Sequence, residues 1–171
     1  MQLRPAKLCD QAQILELYRE TFPPEESDLV SQLAIDLLPS PEADSIIVES
    51  DNCICGHIAF SPLTLAEDPK YRATVLAPLA VAPKNQKQGV GSQLVQYGLA
   101  QYKQAGIHDL YLYGDPNYYG RFGFAEVSTK NIEAPYPLSY PFGWQRLKLN
   151  EHQTISGKLT CVEALQKPEL W

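Results

Sequence analysis

The chain has no long apolar run, no basic run, no repeat and no low-complexity tract, and each absence removes a class of function. No apolar stretch approaches the roughly 18 residues that a membrane helix needs. The segment Met1 to Lys7 holds no apolar core of a secretory leader, so a cytoplasmic protein is expected. Fourteen Lys and Arg stand against 20 Asp and Glu, for a net charge of −6. Without a cluster of positive charge, neither a nucleic acid nor an anionic membrane has a footprint to bind. Histidines are scattered and only three in number. No Ser-His-Asp arrangement and no metal-ligand spacing can be built from them. Cys53 and Cys55 are separated by one residue, which matches neither a redox C-x-x-C nor half of a usual zinc site. Free thiols, buried or half-buried, in a reducing compartment are the expected state of Cys9, Cys53, Cys55 and Cys161.

Two familiar phosphate motifs are also missing. No G-x-x-x-x-G-K-[ST] string occurs, and the dinucleotide fingerprint fails because position 94 is Leu where a third glycine is required. A nucleotide hydrolase and a dinucleotide oxidoreductase are therefore disfavoured.

What remains is ordinary globular composition, 44% hydrophobic and 20% charged over 171 residues, enough for one domain with a real core. Gln2-Leu3-Arg4 reads as a first strand. Asp10 is placed to cap a helix carrying Ile14, Leu17 and Tyr18 on one face, with Gln13 three residues on. Phe22-Pro23-Pro24 ends it. Ser27 is placed to cap a second helix, whose Leu29, Val30, Leu33, Ala34, Leu37 and Leu38 keep helical spacing up to Pro39. Ser45–Glu49 and Cys53–Phe60 read as a hairpin turned at Asp51-Asn52. Thr74–Val81 reads as a strand made irregular by Pro78, which has no N–H to donate. The main helix is expected over Gly89–Ala105, closed by Gly106. A strand at Leu110–Tyr113, a short helix at Pro116–Phe122 and a strand at Phe124–Val127 follow, with further strands near Trp144–Leu149 and Leu159–Val162.

The most informative stretch is Leu79-Ala80-Val81-Ala82-Pro83-Lys84-Asn85-Gln86-Lys87-Gln88-Gly89-Val90-Gly91. Its order is strand, glycine-containing turn, helix. A helix start carries unpaired N–H groups and the positive end of the dipole, which together suit an anion such as a phosphate. Two glycines would let that anion approach bare backbone. An ordinary strand–helix turn satisfies the same residues. The order β-α-α-β-β-β-α-β-α-β describes a mixed sheet with helices on both faces, in which Thr74–Val81 and Leu110–Tyr113 run parallel across a helical crossover.

Leu-Ala-Val-x-Pro ahead of Gln86-x-x-Gly89-x-Gly91 resembles the GNAT superfamily of acyl-CoA-dependent N-acetyltransferases. A second block, Gly114 to Phe124, repeats the family's short helix ending in Tyr, three residues, then Gly-Phe: here Tyr119, then Gly123-Phe124. The phrases Gly56 to Pro62 and Ala77 to Val81 are similar to the YhbS-like branch. The resemblance covers residues 2–127 well and 128–171 loosely, the latter as strands and loops completing the sheet. It implies a single domain over 1–171 with a mixed, largely antiparallel twisted sheet.

It also implies acetyl-CoA as co-substrate, no metal, and an amine of a small molecule or peptide as acceptor, in a monomer or homodimer. The pyrophosphate would lie on Gln86, Lys87, Gln88, Gly89, Val90, Gly91 and Ser92. Pantetheine would run along Leu79, Ala80 and Val81, and a backbone N–H near Val81 would face the oxyanion. Tyr119 would be the general acid for the departing thiolate, with Tyr118 its competitor; Asn117 at the helix start and Tyr118 would also contact the cofactor. Arg121 would reach a CoA phosphate or pair with a carboxylate. Glu25 and Glu26, read as loop residues between the first two helices, would border the acceptor or simply be solvated. His57 would be a base or a structural histidine. A non-catalytic acyl-CoA sensor is the alternative that the same residues allow.

Overall fold

A computed structural model of the chain describes residues 1–171. The strands are β1 (Gln2–Pro5), β2 (Asp44–Ser50), β3 (Cys53–Leu65), β4 (Ala73–Val81), β5 (Asp109–Tyr113), β6 (Ala125–Glu126), β7 (Ile132–Glu133), β8 (Trp144–Lys148) and β9 (Gly157–Cys161). The helices are α1 (Gln11–Thr21), α2 (Pro24–Leu37), α3 (Val90–Gln104) and α4 (Pro116–Tyr119). Two compact units divide the chain: Met1–Phe60 with Ala77–Gly98, and Ser61–Leu76 with Leu99–Trp171.

In the first unit β1 pairs antiparallel with β2, and β2 with β3. The hairpin turn is Asp51-Asn52, with both residues at positive φ (53° and 61°). That is the two-residue geometry whose twist suits a hairpin, and Asp and Asn tolerate it. α1 buries Ile14, Leu17 and Tyr18, and α2 buries Leu33, Ala34 and Leu37. Both stripes follow helical spacing. On β3 the pleat sends neighbouring positions to opposite faces. A Cβ added at Gly56 would meet Val90 and Leu94 of α3, at 2.7 and 3.0 Å. The next residue, His57, instead meets Tyr18 of α1. Helices therefore cover both faces of the sheet here.

Two expected caps are not used. α2 begins at Pro24, because the N–H that proline lacks would have no acceptor within the helix in the first turn anyway. Ser27 is thus inside the helix and buried, its hydroxyl donating to the Pro24 carbonyl at 3.4 Å. Glu25 and Glu26 move with it, from a loop to the first helical turn. Asp10 precedes α1 but does not cap it. Its carboxylate accepts from the Arg4 guanidinium at 2.7 and 3.0 Å and from the Lys7 amide at 2.7 Å. Arg4 also donates to Glu49 at 2.7 Å, so one guanidinium ties β1 to β2 and to the approach of α1. The Gln13 side-chain carbonyl takes the amide of Ile54 at 3.1 Å.

In the second unit β4 runs parallel to β5, over Ala73–Val75 with Asp109–Tyr111. The ladder stops there, two residues before Ala77–Pro78, whose peptide bond is cis. β5 pairs antiparallel with β8, and β8 with β6. β3 continues beyond Phe60 to Leu65, where it pairs antiparallel with β9. β9 is parallel to β7, a two-residue strand that the sequence pattern does not signal. The sheet is mixed and largely antiparallel, as expected. Its core centres on Trp144, fully buried, stacked on Tyr111 at 5.1 Å and edge-on to Trp171 at 6.0 Å. No disulfide forms. Cys55 and Cys161 are buried, but Cys9 and Cys53 are exposed, against the expectation of uniformly covered thiols.

Candidate active site

In the first unit, one 3₁₀ turn (Pro83–Asn85) leads out of β4, and Gln86 returns to an extended conformation. Lys87 and Gly89 then take positive φ, 59° and 87°. α3 follows at once. Its first hydrogen bond runs from the Gln93 amide to the Gly89 carbonyl at 2.9 Å. The amides of Val90, Gly91 and Ser92 thus have no acceptor within the helix. Two amide side chains hold the turn: Gln86 donates to the Val81 carbonyl at 3.1 Å, and Gln88 to the Lys84 carbonyl at 2.8 Å. Both side chains are thus spent on the turn itself, while the expected contact of this segment with a pyrophosphate is through its backbone amides. A Cβ at Gly89 would meet no protein atom within 4 Å, so within the protein it is the positive φ that calls for glycine.

The Val81 carbonyl accepts a second bond, from the Thr21 hydroxyl at 3.3 Å. The same hydroxyl lies nearer the Leu17 carbonyl, at 2.6 Å, so its one proton is shared between the two. Leu79 is half-buried and Ala80 buried.

His57 is fully buried, with Nδ1 2.8 Å from the Tyr18 hydroxyl and Nε2 without a partner. Ile14, Leu17, Tyr18, Ala34 and Ile47 form the core beside it. Burial pushes its pKa down to about 3. It is a neutral imidazole and too weak a base for an ammonium acceptor. Of the two readings, the geometry favours the structural histidine. Glu25 and Glu26 are exposed at the start of α2, where the helix dipole favours carboxylates.

In the second unit, Asp115 caps α4, accepting from the Asn117 amide at 2.9 Å and its Nδ2 at 3.0 Å. Asn117 thereby fixes the helix start. Gly123, at φ 93°, closes the turn after Phe122. Tyr119 is half-buried, edge-on to Tyr118 at 4.8 Å and to Phe124 at 6.1 Å. Gly114 lies against its ring: a Cβ there would come 2.8 Å from Cε2. The Tyr119 hydroxyl makes no hydrogen bond to the protein. Burial, with the nearby Tyr118 and Asp115, raises its pKa above that of an ordinary tyrosine. It keeps its proton at neutral pH. Arg121 pairs with no carboxylate; its guanidinium lies over the Tyr118 ring at 4.0 Å and the Phe122 ring at 5.0 Å. That is a cation–π contact.

The model of the Acetyltransferase (GNAT) family matches residues 12–124, which spans α1 through the Tyr119 platform. The chain belongs to the GNAT acetyltransferase family. As a GNAT protein it is an N-acetyltransferase of the kind that uses acetyl-CoA. It is 32% identical over 143 residues to YjhQ of Escherichia coli K12, an N-acetyltransferase described as uncharacterized, covering 81% of this chain and 78% of that one. Its fold is similar to the YhbS acetyltransferase of E. coli crystallised with CoA, at TM-score 0.85 and 26% identity over 97% of this chain and 92% of that one. A GNAT acetyltransferase of Brucella melitensis, crystallised with acetyl-CoA, is similar at TM-score 0.70 and 28% identity, over 96% and 97%.

Several GNAT residues of this chain carry parts that sequence reasoning missed. Thr21 and the Gln86 side chain close the end of β4, Asp115 sets the start of α4, and Gly114 makes room for the Tyr119 ring. Only Asp115 had a local signal, being an Asp directly before a proline.

Proposed function

We propose that the chain, as one domain over residues 1–171, transfers the acetyl group of acetyl-CoA to a primary amine of a small molecule or peptide by direct attack in a ternary complex. The observation that carries this reading is Tyr119, a proton-bearing hydroxyl that no protein group engages. Bound acetyl-CoA supplies an activated thioester. The turn fits its pyrophosphate: the amides of Val90, Gly91 and Ser92 lack helical acceptors, Lys87 is an exposed cation, and Gln86 and Gln88 hold the loop in shape. Leu79, Ala80 and Val81 flank pantetheine in this reading, and Asn117, Tyr118 and Arg121 support the Tyr119 ring. The exposed Glu25 and Glu26 draw a cationic acceptor. Four free cysteines accord with a cytoplasmic setting, and no helix is long and apolar enough to cross a membrane.

The amine nitrogen attacks the thioester carbon. The new C–N bond forms, the C–S bond breaks, and the ammonium proton passes to water. Tyr119 donates to the leaving sulfur. Its raised pKa lies above that of a thiol, ~8.5 for a cysteine, so complete proton transfer is uphill. The hydroxyl therefore acts by hydrogen bonding to developing charge, and its effect is bounded.

Tyr119→Phe is expected to lower kcat by roughly 10²–10⁴-fold while leaving the acetyl-CoA Kd within a few-fold. The assay is CoA release, followed with a thiol reagent across a panel of amines, polyamines, amino acids and peptides. Tyr118→Phe should be much milder. Should neither variant slow turnover of an accepted amine, the assignment of a tyrosine acid fails. Should no amine release CoA from a protein that binds it, the sensor reading replaces the enzyme.

A further inference from the structure

The second unit holds a hollow of about 330 Å³, lined among others by Glu133, Tyr136, Pro137, Leu138, Pro141 and Lys158. It owes nothing to the acyl-transfer residues. Glu133 and Lys158 are direct partners in the parallel β7–β9 ladder. Opposite charges placed so ordinarily pair across the strands. These two do not, and neither enters an ion pair elsewhere. A carboxylate and an ammonium thus stand side by side, each unpaired, on the wall of one cavity.

The rest of the wall is mostly apolar, with Ala134, Pro137, Leu138 and Pro141 beside the hydroxyl-bearing Thr129 and Tyr136, and it is stiff. Pro135, Pro137 and Pro141 fix φ at three positions within seven residues. The segment is pinned at both ends and between. The Trp144 indole donates to the Ile132 carbonyl at 3.2 Å, the Ser139 hydroxyl to the Trp171 carbonyl at 3.3 Å, and the Tyr140 amide to the Tyr113 hydroxyl at 2.8 Å. A cavity held open in this way asks little ordering of itself when a ligand enters. Its volume lies at the small end of the range for small-molecule sites.

We propose that this hollow binds a free α-amino acid with an apolar side chain, its ammonium on Glu133, its carboxylate on Lys158, and its side chain on Pro137, Leu138 and Pro141. An α-amino acid carries both charges on one carbon, as the paired positions on β7 and β9 require. A peptide separates them along its length. A simple amine or acid answers only one of the two, and leaves the other charge unmatched at the wall.

The test is a calorimetric and NMR titration of the full chain, at low salt and without acetyl-CoA, using leucine, N-acetylleucine, leucinamide and glycine. Leucine should bind saturably and at least tenfold more tightly than each of the other three. Glu133→Gln should abolish the preference for leucine over N-acetylleucine, and Lys158→Gln the preference over leucinamide. Both positions are exposed, and unchanged thermal melting will confirm folding. Absence of saturable leucine binding overturns the proposal, as does equal binding of leucine and its blocked forms. Because no cofactor is present, such a failure leaves the acyl-transfer reading standing.

Discussion

At residue scale, His57 shows what burial does to an ionisable group. Its ordinary pKa is 6.5 and its folded one about 3. The folded imidazole stays neutral while the unfolded one takes up a proton below pH 6.5. Stability must therefore fall as pH drops from about 6.5 toward 3, and is unaffected by this group above that range. Between pH 7 and pH 5 the loss should be about 2 kcal/mol. Urea melts at the two pH values should show it in the natural protein and not in His57→Gln. Equal pH dependence in both proteins would remove His57 from the account. Sequence placed this histidine in a strand and could go no further, because its partner Tyr18 is 39 residues away.

At the scale of the element, the Gln86–Ser92 turn carries the cofactor argument. Its shape rests on two residues in left-handed conformation, and a β-branched side chain is strained at φ 87°. Gly89→Val should rebuild the turn and misdirect the amides that start α3. Calorimetry should then show CoA affinity lower by at least tenfold, about 1.4 kcal/mol. Unchanged affinity in a folded variant would place the pyrophosphate elsewhere. The strand–turn–helix order was legible in residues 75–104 because apolar periodicity and glycine punctuation are local signals. The staples were not. Only the folded turn brings the Val81 and Lys84 carbonyls within reach of the Gln86 and Gln88 side chains.

For the molecule as a whole, binding is linked to stability. A ligand that binds only the folded chain stabilises it by about 2.7 kcal/mol at a hundredfold excess over its Kd. For a chain of this length that raises Tm by roughly 5–10 °C. Acetyl-CoA should produce such a shift in the natural protein and in Tyr119→Phe, and a smaller one in Gly89→Val. A shift lost in Tyr119→Phe would mean that the hydroxyl serves binding and not the transition state. The same melts would show whether both compact units respond together, as one domain over residues 1–171 requires.

Sequence by itself determined the order of the longer elements, the two glycine-bearing blocks and, through them, the family. These are readable because periodicity, proline and glycine act within a few residues of the chain. It also showed no basic run, no metal-ligand spacing and no run of apolar residues fit for a membrane helix. Tertiary structure decided the rest. It moved Ser27, Glu25 and Glu26 into a helix, since Pro24 is better tolerated in a first turn than Ser27 is needed as a cap. It gave Asp10 to Arg4, turned Arg121 onto an aromatic ring, and set Gly114 under Tyr119. It also created β7, too short to show a period, and with it the facing pair Glu133 and Lys158. Each of these depends on partners distant in the chain or on competition between neighbours, and no local pattern encodes which partner wins.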